Sequence, residues 1–244
     1  MVDWIDIADR IERTGVAEPT AGLYAPSLVE VATRQLRDEI LAGTLEPGQR
    51  LIEDQIRLRF SISRAPLREA LRLLTQQGLV EHLPRRGVRV TELSDADVDQ
   101  LFGIRLALEQ HAIRSVFPLA EAPGDDQLAD LVGWLDLMRT AEEQGDELRK
   151  DDAHRAFHAA VVALAGNRQL DLALEPVLLK LQRPMAYNLR REAHALGPEA
   201  GLARHARLIA ALRSNDPARI LSELEHHGSR RFLSPHDLSA TRES

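Results

Sequence analysis

The sequence has no cysteine, and this absence excludes several kinds of chemistry. Disulfide bonds, thiolate nucleophiles and cysteine-based zinc or iron–sulfur sites are ruled out, so only His, Asp, Glu or Asn could hold a metal. No apolar run approaches the roughly 18 residues of a membrane span, and the first residues lack the basic and apolar segments of a signal peptide. We therefore expect a cytoplasmic protein without a membrane partner.

The chain as a whole also lacks the positive charge that usually accompanies nucleic-acid binding, because its formal net charge is −7. The distribution of charge along the chain nevertheless leaves one segment that could bind nucleic acid. Residues 28–91 contain eleven arginines, no lysine and eight acidic residues, a local charge of +3, whereas residues 92–244 carry −7. Arginine makes forked contacts with phosphate and guanine, so this segment is the candidate for a nucleic-acid contact.

The length and composition favour two modest globular domains. The chain has 244 residues, of which 44% are hydrophobic and 28% charged, values typical of folded proteins. We interpret 1–27 as an arm and linker, 28–92 as a first domain, 94–233 as a second domain and 234–244 as a tail. The first domain is predicted to contain the nucleic-acid contact.

The first domain shows the pattern of a winged helix-turn-helix. A helical stripe begins at Leu28 and ends at Gly43, and two further helices are predicted at about 53–60 and 65–77. Two short strand candidates, 79–83 and 88–91, then flank a basic turn that contains proline and glycine. Three helices followed by a small hairpin are typical of this DNA-binding fold.

The second domain is predicted to be all-α, because strand signals vanish after Ser94 and the composition turns to Ala and Leu. About six or seven helices are predicted, at 94–119, 125–144, 147–165, 168–182, 184–195, 198–214 and 217–233. Pro176 and Pro184 lie inside or beside one helical stretch, which is therefore predicted to be kinked or broken. The expected fold class is mainly α, with a winged N-terminal unit and a C-terminal helical bundle.

Four stretches of the first domain form one pattern: LRDEILAGTLEPGQRL at 36–51, SRAPLREAL at 63–71, GLV at 78–80 and RRG at 85–87. Together they resemble the N-terminal domain of the GntR superfamily. Helical geometry agrees independently, because Arg64 and Arg68 lie one turn apart at the front of the third helix, where a recognition helix meets base edges. The alternative is that these two arginines only solvate a surface helix.

The resemblance implies a set of DNA-contacting residues. Arg64 and Arg68 match arginines that contact a guanine and nearby phosphates, and Arg86 with Gly87 matches the wing that enters the minor groove. Two further positions, Ser63 and Ala65, are carried over on the same grounds. The chain departs from its relatives twice: Ala65 replaces a frequent threonine, and Asp54 stands where some relatives have a DNA-contacting arginine.

Scattered positions of the second domain form a looser pattern: LFGIRLALE at 101–109, FH at 157–158, AGN at 165–167, and His205, Asp216 and His227. They resemble the FCD ligand-sensing domain of the FadR-like branch. In many FCD domains an Asp or Asn and three His bind a divalent metal, and the first two ligands lie one helical turn apart. The resemblance implies His154, His158, His205 and His227 as ligands. Histidine at 154 replaces the usual Asp or Asn, and a neutral all-histidine set favours zinc or nickel.

Helical periodicity tests that ligand set without the family. His158, His205 and His227 each share a helical stripe with apolar residues, whereas His226 falls on a polar stripe. The alternative is that they are ordinary core histidines. Arg105 matches an arginine that binds a carboxylate effector in the family, and the alternative is an ordinary surface or ion-paired residue. His111 is predicted to lie in the core.

The sequence therefore predicts a ligand-responsive transcription regulator, of the repressor type, rather than an enzyme. It is expected to bind a short palindromic operator in double-stranded DNA as a homodimer and to be released by an organic or sugar acid. A metal-dependent hydrolase is the first alternative, although no HExxH motif, nucleophile elbow or phosphate loop is present. The second alternative is a DNA-binding dimer in which the helical domain senses nothing.

Overall fold

The computed structural model describes residues 26–84 and 86–227. The chain divides into two compact units, Met1–Glu92 and Leu93–Ser244. Most of the expected arm at 1–27, residue 85 in the basic turn and the expected tail at 234–244 lie outside the described residues.

The first unit has the helix and strand order of a winged helix-turn-helix. Its elements are α1 (Leu28–Leu41), β1 (Arg50–Leu51), α2 (Glu53–Phe60), α3 (Arg64–Gln76), β2 (Val80–Leu83) and β3 (Gly87–Val90). A capping box between Ser27 and Glu30 starts α1, because each side chain accepts a hydrogen bond from the other residue's backbone N–H. The predicted three helices and wing are confirmed.

The wing is a three-stranded antiparallel sheet in the order β1-β3-β2. The sequence pattern predicts only the hairpin of β2 and β3, and β1 is an additional strand. In the register, Leu51 of β1 lies opposite Val88, and Val80 of β2 lies opposite Val90. A strand of two residues is too short to show an alternating pattern, which explains why β1 left no signal.

Burial of one face of α3 leaves its other face exposed. Leu67, Leu71 and Leu74 follow the spacing of one helical face and are at most 2% exposed. Ser61, which adopts a left-handed conformation, ends α2 just before α3 begins. The polar residues at the front of α3 are thereby held outside the small hydrophobic core.

The second unit is all-α within the described residues, as the sequence predicts. Its helices are α4 (Asp95–Val116), α5 (Ala129–Gln144), α6 (Glu147–Ala163), α7 (Arg168–Leu196), α8 (Glu199–Arg213) and α9 (Pro217–His227), with a 3₁₀ turn at Asp126–Leu128. The predicted extension of the last helix over 228–233 lies outside the described residues. No helix of the described residues is long and apolar enough to cross a membrane.

Two predictions about this unit are wrong. The stretch predicted as two helices is the single helix α7, which continues through Pro176 and Pro184. Proline removes one backbone hydrogen bond and clashes with the preceding turn, at a cost of about 3 kcal/mol. Residues of α7 are buried on both sides of Pro184, for example Leu181 before it and Leu189 after it, and this packing outweighs the local preference.

His111 is exposed rather than buried in the core. Its assignment depended on the apolar side chain of Ile104, which shares its side of α4 and is itself 47% exposed. Because α4 carries apolar residues around much of its circumference, the sequence pattern does not single out the face that is buried. The inward face instead carries Arg105 and Glu109.

Candidate functional site

Four histidines from three helices meet inside the second unit. His154 and His158 lie on α6, His205 on α8 and His227 on α9, and one ring nitrogen from each lies within 4.8 Å of the others. All four are buried, with exposed fractions between 0% and 5%. The structure thus brings together every histidine that the sequence predicts as a metal ligand.

Hydrogen bonds determine which ring nitrogens are available. The Nδ1 atom of His205 lies 2.6 Å from the carbonyl oxygen of Gly201, and since a carbonyl only accepts, Nδ1 carries the proton. Its Nε2 atom therefore has a lone pair, and no hydrogen-bond partner lies near it among the described residues. A backbone carbonyl on the far nitrogen is the usual support of a metal-binding histidine.

A carboxylate supports His158 in the same way. The Nδ1 atom of His158 lies 2.7 Å from Oε1 of Glu109. Burial disfavours ionisation of Glu109, but Arg105 and His158 together hold the pKa of that carboxyl below its ordinary value. An ionised Glu109 accepts the Nδ1 proton, so the lone pair of His158 is on Nε2, which lies 3.1 Å from Nε2 of His154.

Burial keeps the four imidazoles neutral at physiological pH. It lowers the pKa of His158 to about 4, where the Arg105 guanidinium adds to the effect. Burial and neighbouring positive charges also hold the pKa values of His154, His205 and His227 well below their ordinary value. Neutral imidazole is the form that binds a metal, so the cluster needs to lose no proton before an ion enters.

Several buried nitrogens of the cluster have no hydrogen-bond partner among the described residues. They are Nε2 of His205 and both ring nitrogens of His227. An unsatisfied buried polar atom costs about 1–3 kcal/mol, so such atoms call for a partner that protein groups do not supply. A divalent transition metal fits this set, because four neutral nitrogen donors suit zinc, nickel or copper better than calcium or manganese.

Arg105 is a buried guanidinium next to this cluster. It is 2% exposed, and its Nε atom lies 3.6 Å from Oε1 of Glu109, the carboxylate that supports His158. Its Nη1 atom donates to the sulfur of Met185 at 3.4 Å, whereas Nε and Nη2 have no hydrogen-bond partner among the described residues. Arg105 is therefore ion-paired but not a surface residue, and it retains donors for an anion.

The predicted DNA-contacting residues of the helix-turn-helix lie together at the front of α3. Ser63 is the residue before the helix, and Arg64, Ala65 and Arg68 lie in its first turns, all exposed to solvent. The Arg64 and Arg68 side chains are 66% and 67% exposed. An exposed helix start with two arginines one turn apart can present forked donors to a groove of DNA.

Sequence reasoning missed the partners of these two arginines. Arg64 contacts Asp54 and Arg68 contacts Glu53, and both carboxylates lie in the first turn of α2. In the sequence, Asp54 stands out only as the loss of a DNA-contacting arginine. Residues ten and fifteen positions apart, on two helices joined by a turn, leave no periodic signal that could have revealed these pairs.

The wing presents the remaining predicted residues. Arg86 and Gly87 are both exposed at the start of β3, and Gly87 has a φ of +87°, a conformation that favours glycine. The guanidinium of Arg50 donates a hydrogen bond to the backbone carbonyl of Arg86 at 2.5 Å. Arg50 therefore ties β1 to the tip of the wing.

Two family models match the chain. Residues 28–90 match the bacterial regulatory proteins of the gntR family, and residues 100–230 match the FCD domain. These matches place the protein among transcriptional regulators rather than enzymes. The chain belongs to the GntR family and carries an FCD domain in its helical unit, as the sequence resemblance implies.

Individual relatives agree with this assignment. The transcriptional regulator YdhC of Bacillus subtilis is 36% identical over 144 residues, a match that covers 59% of this chain and 63% of that protein. The transcriptional repressor GlaR of Escherichia coli is 28% identical, with 80% of this chain and 89% of the repressor covered. A solved GntR regulator from Rhodococcus sp. RHA1 has a TM-score of 0.68 at 27% identity, with 83% and 94% of the chains covered.

Proposed function

We propose that this regulator is a metal-assisted repressor that releases its operator when a small organic or sugar acid binds in the helical unit. The observation that carries the proposal is the continuous buried path from the four histidines through Glu109 to Arg105. It joins a candidate metal site to a guanidinium with unused donors. The name of the related GlaR, a transcriptional repressor, supports repression rather than activation.

In this proposal the four histidines hold the metal, with zinc and nickel as the leading candidates. His158 and His205 offer Nε2 atoms, His227 offers either ring nitrogen, and His154 offers Nε2 once the proton it now shares with Nε2 of His158 moves to its Nδ1. The bound ion supplies a positive charge and coordination positions that attract a carboxylate. Arg105 donates charge-assisted hydrogen bonds to the same acid. Because these donors and the ion both favour an anion, the pocket selects acids.

The DNA contact uses the exposed front of α3. Arg64 and Arg68 contact guanine and phosphates from the major groove, Ser63 and Ala65 lie against the same bases, and the wing residues Arg86 and Gly87 enter the minor groove. A homodimer places two such helices on the two halves of a palindrome. Acid binding favours a packing of the helical bundle in which the two helices no longer match the half-sites.

The test uses the purified full chain, first loaded with zinc and then treated with a chelator. Duplexes selected by the protein from a randomised pool provide the operator probe, and fluorescence anisotropy measures their release by a panel of hydroxy acids and sugar acids. We expect at least one acid to release the zinc-loaded protein and to have a weaker effect on the chelated one. Arg105→Lys, which keeps the charge but loses the fork, should bind metal and operator yet respond poorly.

Three results would count against different parts of the proposal. If no acid released the zinc-loaded protein, the helical unit would only dimerise the chain. If release were the same with and without metal, the acid would be sensed without the ion. Failure of the pool to yield any preferred duplex would contradict the DNA-binding assignment itself.

A further inference from the structure

The two arginines at the front of α3 each lie against a carboxylate from the neighbouring helix. Nη2 of Arg64 lies 3.3 Å from Oδ1 of Asp54, and Nε of Arg68 lies 3.0 Å from Oε2 of Glu53. The same Asp54 oxygen also lies 3.7 Å from Nε of Arg57. In the protein without DNA, the guanidinium groups that would meet the duplex therefore already have anionic partners.

An ordinary explanation exists for acidic residues at this place. The first turn of a helix favours negative charge because of the helix dipole, and both carboxylates lie in the first turn of α2. However, among the described residues the start of α2 has no side-chain cap, because its N-cap residue is Ile52, and the observed contacts of Asp54 are to arginines. The Asp54 side chain is also 62% exposed, so the dipole is well screened there.

The position is unfavourable for DNA affinity. In a helix-turn-helix the first helix crosses the phosphate backbone, and a helix N-terminus ordinarily attracts phosphate. A carboxylate in that turn repels phosphate and competes with it for the arginines. Glu53 and Asp54 therefore oppose the electrostatic attraction that every DNA sequence offers equally.

Glu53 and Asp54 interfere less with a contact to a specific base than with contacts to phosphate. A guanidinium has five N–H donors, of which Arg64 uses one nitrogen for Asp54, and the forked contact with guanine needs two. Arg64 can thus keep Asp54 while it meets guanine, and the carboxylate holds the fork in a limited range of orientations. On a wrong sequence only the phosphates remain as partners, and Asp54 weakens that contact.

We infer that Asp54, assisted by Glu53, is a specificity-determining residue: it lowers affinity for arbitrary duplexes more than affinity for the operator. The inference rests on the proposed function, in which α3 contacts bases. It gives a positive role to the position where some relatives have a DNA-contacting arginine. The protein thus binds DNA less tightly overall, but the ratio between its affinities for correct and incorrect sites is larger.

The test compares Asp54→Asn with the parent protein on two duplexes, one selected by the parent from a randomised pool and one with the same bases scrambled. Asn is nearly isosteric and the site is exposed, so folding should be preserved, which circular dichroism checks. We expect Asp54→Asn to bind the scrambled duplex about fivefold more tightly, the effect of one charge near the surface. Affinity for the selected duplex should change less than about twofold, and the salt dependence on the scrambled duplex should steepen.

Glu69→Gln is the matched control. Glu69 pairs with Arg72 at 2.6 Å on the same helix α3, is 44% exposed, and its substitution changes the net charge by the same amount. The ratio between the two duplexes should stay at the parental value in this variant. The double variant Glu53→Gln/Asp54→Asn should lower the ratio further than Asp54→Asn alone.

Four outcomes would overturn the inference. Equal tightening on both duplexes, or an equal loss of discrimination in Glu69→Gln, would show a simple effect of net charge. Unchanged binding to both duplexes would show an inert surface pair. Weaker binding to the selected duplex alone would mean that Asp54 only supports Arg64. A parent protein that selects no duplex at all would instead contradict the proposed function, which the selection step shows before any variant is made.

Discussion

Arginine beside a carboxylate occurs in both units, with opposite physical consequences. Arg64 lies 3.3 Å from Asp54 at the surface, and Arg105 lies 3.6 Å from Glu109 in the interior, but their side chains are 66% and 2% exposed. In water such a pair is worth about 0–1 kcal/mol and exchanges readily for another partner. In the interior the charge is fixed, and the Arg105 guanidinium helps lower the pKa of the buried His158.

The comparison shows how burial decides what a side chain does. At the surface, DNA phosphates and the carboxylates compete for the same arginines, so the selectivity of these arginines depends on that competition. The interior arginine cannot leave, so it shapes the charge of a site that a ligand enters. Adjacent histidines of α9 repeat the contrast. His226 is exposed and contacts the Ser222 carbonyl, whereas His227 is 4% exposed and its two ring nitrogens have no partner among the described residues.

The largest expected effect tests whether that contrast between neighbouring histidines is functional. His227→Ala should weaken zinc binding by on the order of 100- to 1000-fold, because one of four nitrogen donors is removed. His226→Ala, at the next position and exposed, should bind zinc like the parent. Competition with a chromogenic chelator measures both constants. Equal zinc affinity in the two variants would mean that α9 supplies no ligand.

The second prediction concerns the cost of burying a neutral histidine in the metal-free protein. Burial lowers the pKa of His158 from 6.5 to about 4, so between these pH values the unfolded chain binds more protons than the folded one. Acidification from pH 6.5 to 4 should therefore reduce the free energy of unfolding, by about 3 kcal/mol from this group. Denaturant titrations of the parent and His158→Gln, both in chelator, isolate that contribution.

Comparing His158→Gln with the parent controls for the titration of other groups, because those groups are the same in both proteins. Burial raises the pKa of Asp151 to about 6, which acts in the opposite direction over part of this range, but Asp151 titrates in both proteins. Only the difference between the two pH profiles is therefore informative. If the two profiles ran parallel from pH 6.5 to 4, His158 would not be a buried neutral imidazole.

Local patterns in the sequence were sufficient for much of the fold, whereas the members of the candidate site came from the resemblance to a family. Helical spacing alone placed Arg64 and Arg68 one turn apart at the front of a helix and His158 and His205 on inward stripes, and it did not assign them a role. The three helices and the hairpin of the first unit follow from the same periodicities and from glycine and proline at the turns. These signals arise within one element and need no knowledge of tertiary contacts.

The errors and omissions concern interactions between distant parts of the chain. The continuity of α7 through Pro184 depends on the packing of neighbouring helices, and β1 exists only because β3 pairs with it. Glu109 was missed as the partner of His158 because 49 residues separate them. The pairing of Asp54 with Arg64 was missed for the same reason, although the unusual residue itself was noticed.

The third prediction concerns the role of the buried carboxylate of Glu109, whose replacement should have a smaller effect on metal affinity. Glu109→Gln leaves a side chain of the same shape but removes the charge that orients His158 and faces Arg105. Loss of such an outer partner typically costs 10- to 100-fold in metal affinity, and we expect a value in that range here. Glu225→Gln, which alters an exposed contact with Gln110, should have no effect on zinc binding. Indistinguishable zinc constants for the two variants would remove Glu109 from the site.

The smallest effect belongs to the surface, where water competes for every contact. Arg64→Ala should cost about 1–3 kcal/mol in operator binding and relax the preference at one base pair, because a forked guanine contact is lost. Arg50→Ala, which removes the guanidinium that contacts the wing carbonyl of Arg86, should weaken all duplexes alike and leave base preference unchanged. Selection from a randomised pool with each variant measures the preference at every position. A parental preference retained in Arg64→Ala would show that the exposed arginine contacts phosphates alone, and sequence recognition would then have to come from another part of the winged unit.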